Sequence, residues 1–393
     1  MPALFARCVR GIEWVAAAEL QAGFGARITG RAHRELRLAA AGPLQELLGA
    51  RTVDDLFVEA GSLAGLDHTR ASLARLAAGV ARLDLAGAVE TVRAVRPLPH
   101  HPDCQVSASF LGRRNYSRYE VEDAAGAAVA GRLGTPYRSR RAQETAEAPL
   151  SWRVHLVGDR ALVGLRLAAR PLHRRAWKLR SLPGTLHPPL AAALALVGGL
   201  RSGGVLLDPF CGAGTVPIEA AGLRPGPPRV GGDLSRPAVE AAAANARSAG
   251  AAAGFVVADA GRLPFAAGQV DRVVSNLPWR RQVELGGAAD ADRRRPWSEL
   301  ARVLAPTARA VLLVEEPDAA LRDAADAGLR ARLLDRVSLF GRHPAVVLAW
   351  PPGAAARLVD HAGLYGPQLA VELDAAGGLS RRQAPQGPGR RPG

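Results

Sequence analysis

The sequence predicts an α/β protein whose second half builds a mostly parallel, doubly wound sheet and whose first half is a smaller α+β region. Three observations carry this. The run Val205-Leu206-Leu207 is apolar throughout, as in a strand buried on both faces. It runs into Asp208, the glycines Gly212 and Gly214, and an alanine-rich helical pattern opened by Thr215. From there strand and helix signals alternate as far as Trp350, which is the pattern of a parallel sheet.

In chain order, Ala3 to Val9 reads as a strand and Gly11 to Leu20 as a helix, with Gly23 ending it. Ala26 to Leu38 suggests a hairpin, Val53 to Val58 a strand and Thr69 to Leu83 a helix. Cys104 to Leu111 alternates Val106, Ala108 and Phe110 with polar residues, as a half-buried strand does. A basic loop follows, then an alanine-rich helix from Glu120 to Leu133. Trp152 to Val157 and Ala161 to Leu167 form a hairpin around Gly158-Asp159. After a dense basic link, His173 to Arg180, come a helix from Pro189 to Val197 and the strand at 205. Further strands are expected at 229–232, 255–258, 270–275 and 308–314, with helices at 237–248, 296–304 and 318–327. The segments 330–338 and 344–350 read as a closing antiparallel hairpin. The chain divides into 1–60, 61–169, 170–351 and a tail, 352–393, whose proline, glycine and arginine content predicts that it is largely disordered.

At 393 residues, 48% apolar and 22% charged, the composition is that of a globular protein with room for two or three cores. The net charge of +15 points to a polyanionic partner, nucleic acid first. Lys178 is the single lysine, and arginine abounds together with alanine, glycine and proline, so part of the excess reflects composition. Cys8, Cys104 and Cys211 are odd in number and far apart, which fits a reducing cytoplasm rather than a disulfide framework or a four-cysteine zinc site. No apolar run suits a signal peptide or a membrane span.

Four strand ends carry polar residues in order. Asp208 ends the first strand beside its glycine turn, where a carboxylate suits a cationic or hydroxyl-bearing ligand. The turn is neither G-x-G-x-x-G nor a phosphate loop, which argues against a dinucleotide or a nucleoside triphosphate. Asp233 ends the second strand, placed for ribose hydroxyls, and Asp259 the third, within reach of an adenine edge. Asn276-Leu277-Pro278-Trp279 ends the fourth. Taken alone, that tetrapeptide also reads as a strand exit with a core tryptophan, because Asn-X-Pro marks turns.

Together these residues resemble class I S-adenosylmethionine-dependent methyltransferases, a Rossmann-like fold. Asp208-Pro209-Phe210-Cys211-Gly212-Ala213-Gly214-Thr215 resembles their first motif, and Asn276 to Trp279 the [NDS]-[PL]-P-[YFW] motif of enzymes that methylate exocyclic amines. Upstream, Gly11-Ile12-Glu13 with Glu19-Leu20, Phe110 to Ser117, and Leu172-His173-Arg174-Arg175 are similar to THUMP-domain RNA methyltransferases, so the resemblance spans roughly residues 1–350. It implies a ferredoxin-like α+β segment at 1–60, a THUMP-like RNA-binding module at 61–169 and the methyltransferase domain at 170–351. The resemblance also implies N2-methylation of a guanosine in tRNA, at acceptor-stem position 6, with the first half gripping the acceptor stem and 3′ end. For the cofactor it implies Asp208, Phe210, Cys211, Gly212, Gly214, Thr215, Asp233, Leu234, Asp259, Ala260 and Asn276, with Thr185 or Leu186 touching it as well. For catalysis it implies Asn276, Pro278 and Trp279, the ring stacking on an extruded base. One departure is that Arg280 follows Trp279 where glycine is common in the family.

Arg113, Arg114, Arg118, Arg174, Arg175, Lys178 and Arg180 are the candidate phosphate contacts, with Tyr116 and Trp177 as stacking partners. A solvated basic surface is the bland reading of the same residues. No cysteine or carboxylate lies at ligand spacing from His173 or His187, so no metal is expected. A cytoplasmic monomer acting on tRNA is the leading expectation. Its rivals are an rRNA guanine-N2 methyltransferase, a DNA amino-methyltransferase, and an RNA-binding protein with an inactive methyltransferase fold.

Overall fold

The computed structural model describes residues 2–142, 147–199, 204–223, 228–278, 294–339 and 341–352. The chain forms two units, Met1–Arg175 and Ala176–Gly393. Among the described residues each builds one seven-stranded sheet.

In the first unit, β1 (Ala3–Arg7) buries Leu4, Phe5 and Ala6, and α1 (Glu13–Phe24) follows. The helix passes Gly23 and stops at Gly25, whose φ of 63° is the left-handed turn that glycine makes without strain. The hairpin is β2 (Arg27–Ala32) and β3 (Glu35–Ala39), and β4 (Asp55–Leu63) comes next. The helix expected over 69–83 is α2 (Ala71–Val80), and it is followed by α3 (Leu85–Arg93), which no sequence expectation covered. Asp84 starts the second of these by accepting the Gly87 N–H at 2.9 Å. β5 (Cys104–Phe110) precedes α4 (Arg118–Leu133), which begins two residues before Glu120 because Ser117 and Glu120 form a reciprocal capping box. β6 (Leu150–Val157) and β7 (Arg160–Arg166) close the unit. The strand order is β2-β3-β1-β4-β7-β6-β5. A division at residue 60 falls inside β4, which pairs with β1 on one side and β7 on the other. Backbone pairing therefore carries one sheet across that position. In the same way, the unit limit lies at 175, six residues beyond 169.

Two glutamates of the upstream motifs hold this unit together. Glu13 accepts the Gly11 N–H at 2.7 Å and the Arg34 N–H at 3.0 Å, tying the start of α1 to the turn of the β2–β3 hairpin. Arg34 itself sits at φ 57°, a strained position for a residue with a Cβ. Glu19 lies buried on α1 and accepts the Arg51 and Thr52 N–H groups, each at 2.8 Å, and the Thr52 hydroxyl. Burial pushes its carboxyl up, while those three donors and Arg175 pull it down.

In the second unit, α5 (Pro188–Gly198) has all of its residues buried. Next in the chain come β8 (Leu206–Asp208), α6 (Thr215–Leu223), β9 (Arg229–Asp233), α7 (Arg236–Ala249) and β10 (Ala253–Val257). After them come β11 (Val270–Asn276), α8 (Arg295–Val303), β12 (Leu304–Val314), α9 (Pro317–Asp326), β13 (Arg330–Arg336) and β14 (Ala345–Trp350). The order is β10-β9-β8-β11-β12-β14-β13; the first five strands are parallel, and β14 runs antiparallel to both of its neighbours, β12 and β13. The expected tail at 353–393 lies outside the described residues. No helix among the described residues is long and apolar enough to cross a membrane.

Replacing Glu19 with alanine strands two buried backbone donors and a hydroxyl. Urea unfolding of Glu19→Ala is expected to show a loss of about 3 kcal/mol, each unpaired buried group costing about 1–3 kcal/mol; a change within experimental error would contradict this role.

Candidate active site

Chain order along the second sheet reverses at the β8–β11 junction: β9 and β10 extend to one side of β8, β11 and β12 to the other. Helical crossovers diverge there and leave a crevice beyond the strands' carboxyl ends. Asp208, Asp233 and Asn276 are the last residues of β8, β9 and β11, and Asp259 follows β10 by two residues.

Asp208 is buried, and its Oδ1 accepts the Ser275 hydroxyl at 2.6 Å and the Phe210 N–H at 3.2 Å. Burial raises its pKa from 3.8 to about 7; the two donors oppose the rise, and the nearby Asp233 carboxylate adds to it. Asp233 accepts the Gly212 N–H at 2.9 Å through Oδ2 and the Ser235 N–H at 2.9 Å through Oδ1, so it shapes the glycine turn from the neighbouring strand. Cys211 is buried in that turn, its thiol pushed up by desolvation and by both aspartates. A Cβ at Gly214 would lie 2.9 Å from the Ala242 Cβ and 3.0 Å from the Phe255 ring, so this glycine serves close packing. Gly212 has φ 50° and nothing within 4 Å of where a Cβ would stand, an open approach for a ligand. The Thr215 hydroxyl is buried without a hydrogen-bond partner. Beyond the turn, Leu234 is exposed, Ala260 is buried, and Asp259 accepts the Gly261 N–H at 2.7 Å.

Asn276 is oriented by its amide. Its Nδ2 donates to the Gly184 carbonyl at 3.3 Å, while its buried Oδ1 accepts from no group. Leu277 continues the strand by donating to the Leu313 carbonyl at 3.0 Å, and Pro278 is half-buried. Trp279 and Arg280 lie outside the described residues.

Comparison with known proteins agrees with this geometry. The model of the UPF0020 RMKL-like methyltransferase domain family matches residues 175–345. The Thermus thermophilus tRNA (guanine(6)-N2)-methyltransferase is 33% identical over 279 residues, covering 68% of this chain and 79% of that protein. The chain belongs to the THUMP-domain class I RNA methyltransferase family. A Bos taurus U6 snRNA (guanine-N(2))-methyltransferase is 32% identical over 166 residues, and the match spans 42% of this chain but only 32% of that relative. The crystal structure of TrmN from Thermus thermophilus superposes with a TM-score of 0.67 at 28% identity, covering 89% of this chain and all of that one. As in the rest of the family, the cofactor is S-adenosylmethionine. The crevice fits it: Asp208 and Asp233 end adjacent strands there, the turn is open at Gly212, and the Thr215 hydroxyl lacks a partner.

The basic residues expected to meet RNA separate into two groups. Arg113, Arg118, Arg174 and Arg180 are exposed. Arg118 lies over the Tyr119 ring at 4.7 Å, and Arg174 pairs with Glu147 at 3.0 Å. Arg114 and Arg175 serve the fold. Arg114 donates to the carbonyls of Leu66 and Asp67, each at 3.0 Å, and of Gly158. Tyr116 is 5% exposed and donates to the Asp67 carbonyl at 3.0 Å, so it has no free face for a base. Arg175 donates to the Leu172 and Arg51 carbonyls at 2.6 Å each. Lys178 is half-buried, its pKa lowered by desolvation. Trp177 packs on Ile218 and Ala246 and is likewise core, not a stacking partner. Thr185 makes a local turn with Leu182, and Leu186 is buried. No group of histidine, cysteine, aspartate or glutamate among the described residues is arranged to hold a metal. Ser275 was not legible as a site residue, although it stands beside Asn276 in the sequence; only strand register reveals its partner.

The folded-state pKa of Asp208 lies above its ordinary 3.8, so between that value and about 7 the folded chain holds a proton the unfolded chain releases. Asp208 therefore costs stability progressively as pH rises through that window. Melting curves of the cofactor-free protein should show Asp208→Asn gaining relative to the parent from about pH 4 to about pH 8; a constant difference would contradict the assignment.

Proposed function

We propose that this chain methylates the exocyclic N2 of a guanosine in tRNA, at position 6 of the acceptor stem. The carrying observation is the partnerless Asn276 Oδ1 at the strand-order reversal. The lone pair of a nucleobase amine is delocalised into the ring and makes a poor nucleophile. An acceptor on its N–H turns the nitrogen toward the donor and favours electron density on it. Asn276 Oδ1 is that acceptor, and the Leu277 or Pro278 carbonyl takes the second N–H. Bound S-adenosylmethionine supplies an electrophilic methyl group on its sulfonium, so the protein's task is placement and exclusion of water. Asp208 would hold the cationic end of the cofactor, Asp233 the ribose hydroxyls and Asp259 the adenine edge. Trp279 is assigned the stacking face for the extruded base.

The tRNA assignment follows the Thermus thermophilus relative, whose match extends well beyond the catalytic half. On this reading residues 61–169 act as the THUMP module. They grip the acceptor stem and 3′ end, with Arg113, Arg118, Arg174 and Arg180 as phosphate contacts. The reading includes action as a monomer in the cytoplasm, which suits three unpaired cysteines. Ribosomal RNA is the second reading, favoured by the RMKL-like family model over residues 175–345.

Mass-spectrometric nucleoside analysis of a deletion strain separates the two: loss of N2-methylguanosine from tRNA, with rRNA unchanged, is expected, and the reverse sinks the tRNA assignment. Asn276→Ala should lose about 10²-fold or more in turnover while binding S-adenosylhomocysteine in calorimetry nearly as the parent does. Full turnover in that variant would remove Asn276 from the mechanism.

A further inference from the structure

Residues 177–187 form a strap whose backbone is bound at two places by side-chain amides. The first is Asn245 on α7, fully buried. Its Oδ1 accepts the N–H groups of Leu179 and Arg180, each at 3.0 Å. Its Nδ2 donates to the carbonyls of Arg180 and Ala213, each at 3.0 Å. All four hydrogen-bonding positions of this amide are therefore used, and they join the strap to the glycine turn at Ala213. The second place is Gly184, whose carbonyl accepts from Asn276 Nδ2. Gly184 has φ 76°, left-handed, inside a turn closed by Thr185: the Thr185 hydroxyl accepts the Leu182 N–H at 2.8 Å and donates to the Leu182 carbonyl at 2.6 Å.

An amide side chain has two orientations of similar shape and opposite polarity. Only one presents oxygen to an amine. The Gly184 carbonyl takes the NH2 end of Asn276 and so leaves Oδ1 facing away from the strap, unpaired. We infer that Gly184 and Asn245 are positioning residues for methyl transfer: Asn245 anchors the strap to the cofactor turn, and the Gly184 carbonyl selects the Asn276 orientation that accepts an exocyclic amine. The inference rests on the proposed role of Asn276. The strap couples the donor side and the acceptor side of the reaction through backbone atoms.

The test uses the full-length chain and a series at Gly184. Asparagine tolerates left-handed φ better than alanine or valine does. Turnover on tRNA should fall in the order Gly, Asn, Ala, Val, reaching about 10²-fold for Gly184→Val. The dissociation constant for S-adenosylhomocysteine and the KM for RNA should stay within about twofold, and circular-dichroism melts should show the fold retained. Asn245→Asp keeps both acceptors but loses both donors, so turnover and S-adenosylhomocysteine affinity should fall together. In the double variant Asn245→Asp, Gly184→Ala, the turnover losses should be less than additive, as expected for residues acting through one element. In the Gly184 series, turnover that ignores this order, or that falls only as far as S-adenosylhomocysteine affinity falls, overturns the inference; so does strict additivity in the double variant. An inactive parent would instead sink the proposed function, whereas an active parent with an equally active Gly184→Ala sinks the positioning role alone.

Discussion

The hydrogen bond from the Ser275 hydroxyl to Asp208, 2.6 Å long and fully buried, is the constraint on which the site depends. β8 is short and meets β11 in register only at Arg272–Leu206 and Val273–Leu207. At the ends of these strands, backbone pairing between them gives way to this one side-chain bond. A carboxylate placed there would repel its neighbour Asp233 and would lose solvation. The Ser275 hydroxyl and the Phe210 N–H offset part of that cost, and the same bond carries the position of Asp208 to the residue preceding Asn276. Asp208 and Asn276 are in this way held at a common junction.

The glycine turn follows from the same economy of polar groups. Asp233 binds the Gly212 N–H from β9, Asn245 binds the Ala213 carbonyl from α7, and Gly214 leaves room for Ala242 and Phe255. The neighbours β9, α7 and β10 thus all contribute contacts to a short loop. In the first unit, carboxylates and arginines play the corresponding part. Glu13, Glu19, Arg114 and Arg175 spend their hydrogen bonds on backbone groups of distant turns. Buried backbone groups outside regular ladders need such partners. The residues that make the upstream motifs distinctive are therefore mostly fold-forming, and Arg113, Arg118, Arg174 and Arg180 are the exposed members of the basic set.

Most strands and helices of the second unit were legible because apolar runs and alanine-rich helical periods punctuate it cleanly: the expected strand at 270–275 is Val270–Asn276 and the helix at 237–248 is Arg236–Ala249. In the first unit the helix read over 69–83 is Ala71–Val80, while Leu85–Arg93 was not read as a helix, because its start signal, the cap at Asp84, is a single residue. The start of α4 was placed at Glu120 although Ser117 and Glu120 spell its capping box, a signal present in the sequence and outweighed by the aromatic and basic residues between them. Tyr116 and Trp177 resembled stacking platforms because sequence shows an aromatic residue among charges and not which face is buried.

The sequence by itself determined the order of strands and helices in the catalytic half, the cofactor class, and the four polar residues at or just beyond the strand ends. These are properties of local periodicity and of short contiguous motifs. Only the tertiary structure decided that Ser275 restrains Asp208, that Asn245 and Gly184 hold the strap, and that Arg114 and Tyr116 stabilise a loop. Those pairings join residues separated by 44 to 92 positions. Sheet order and helix packing bring them together, and no spacing along the chain encodes the distance between them.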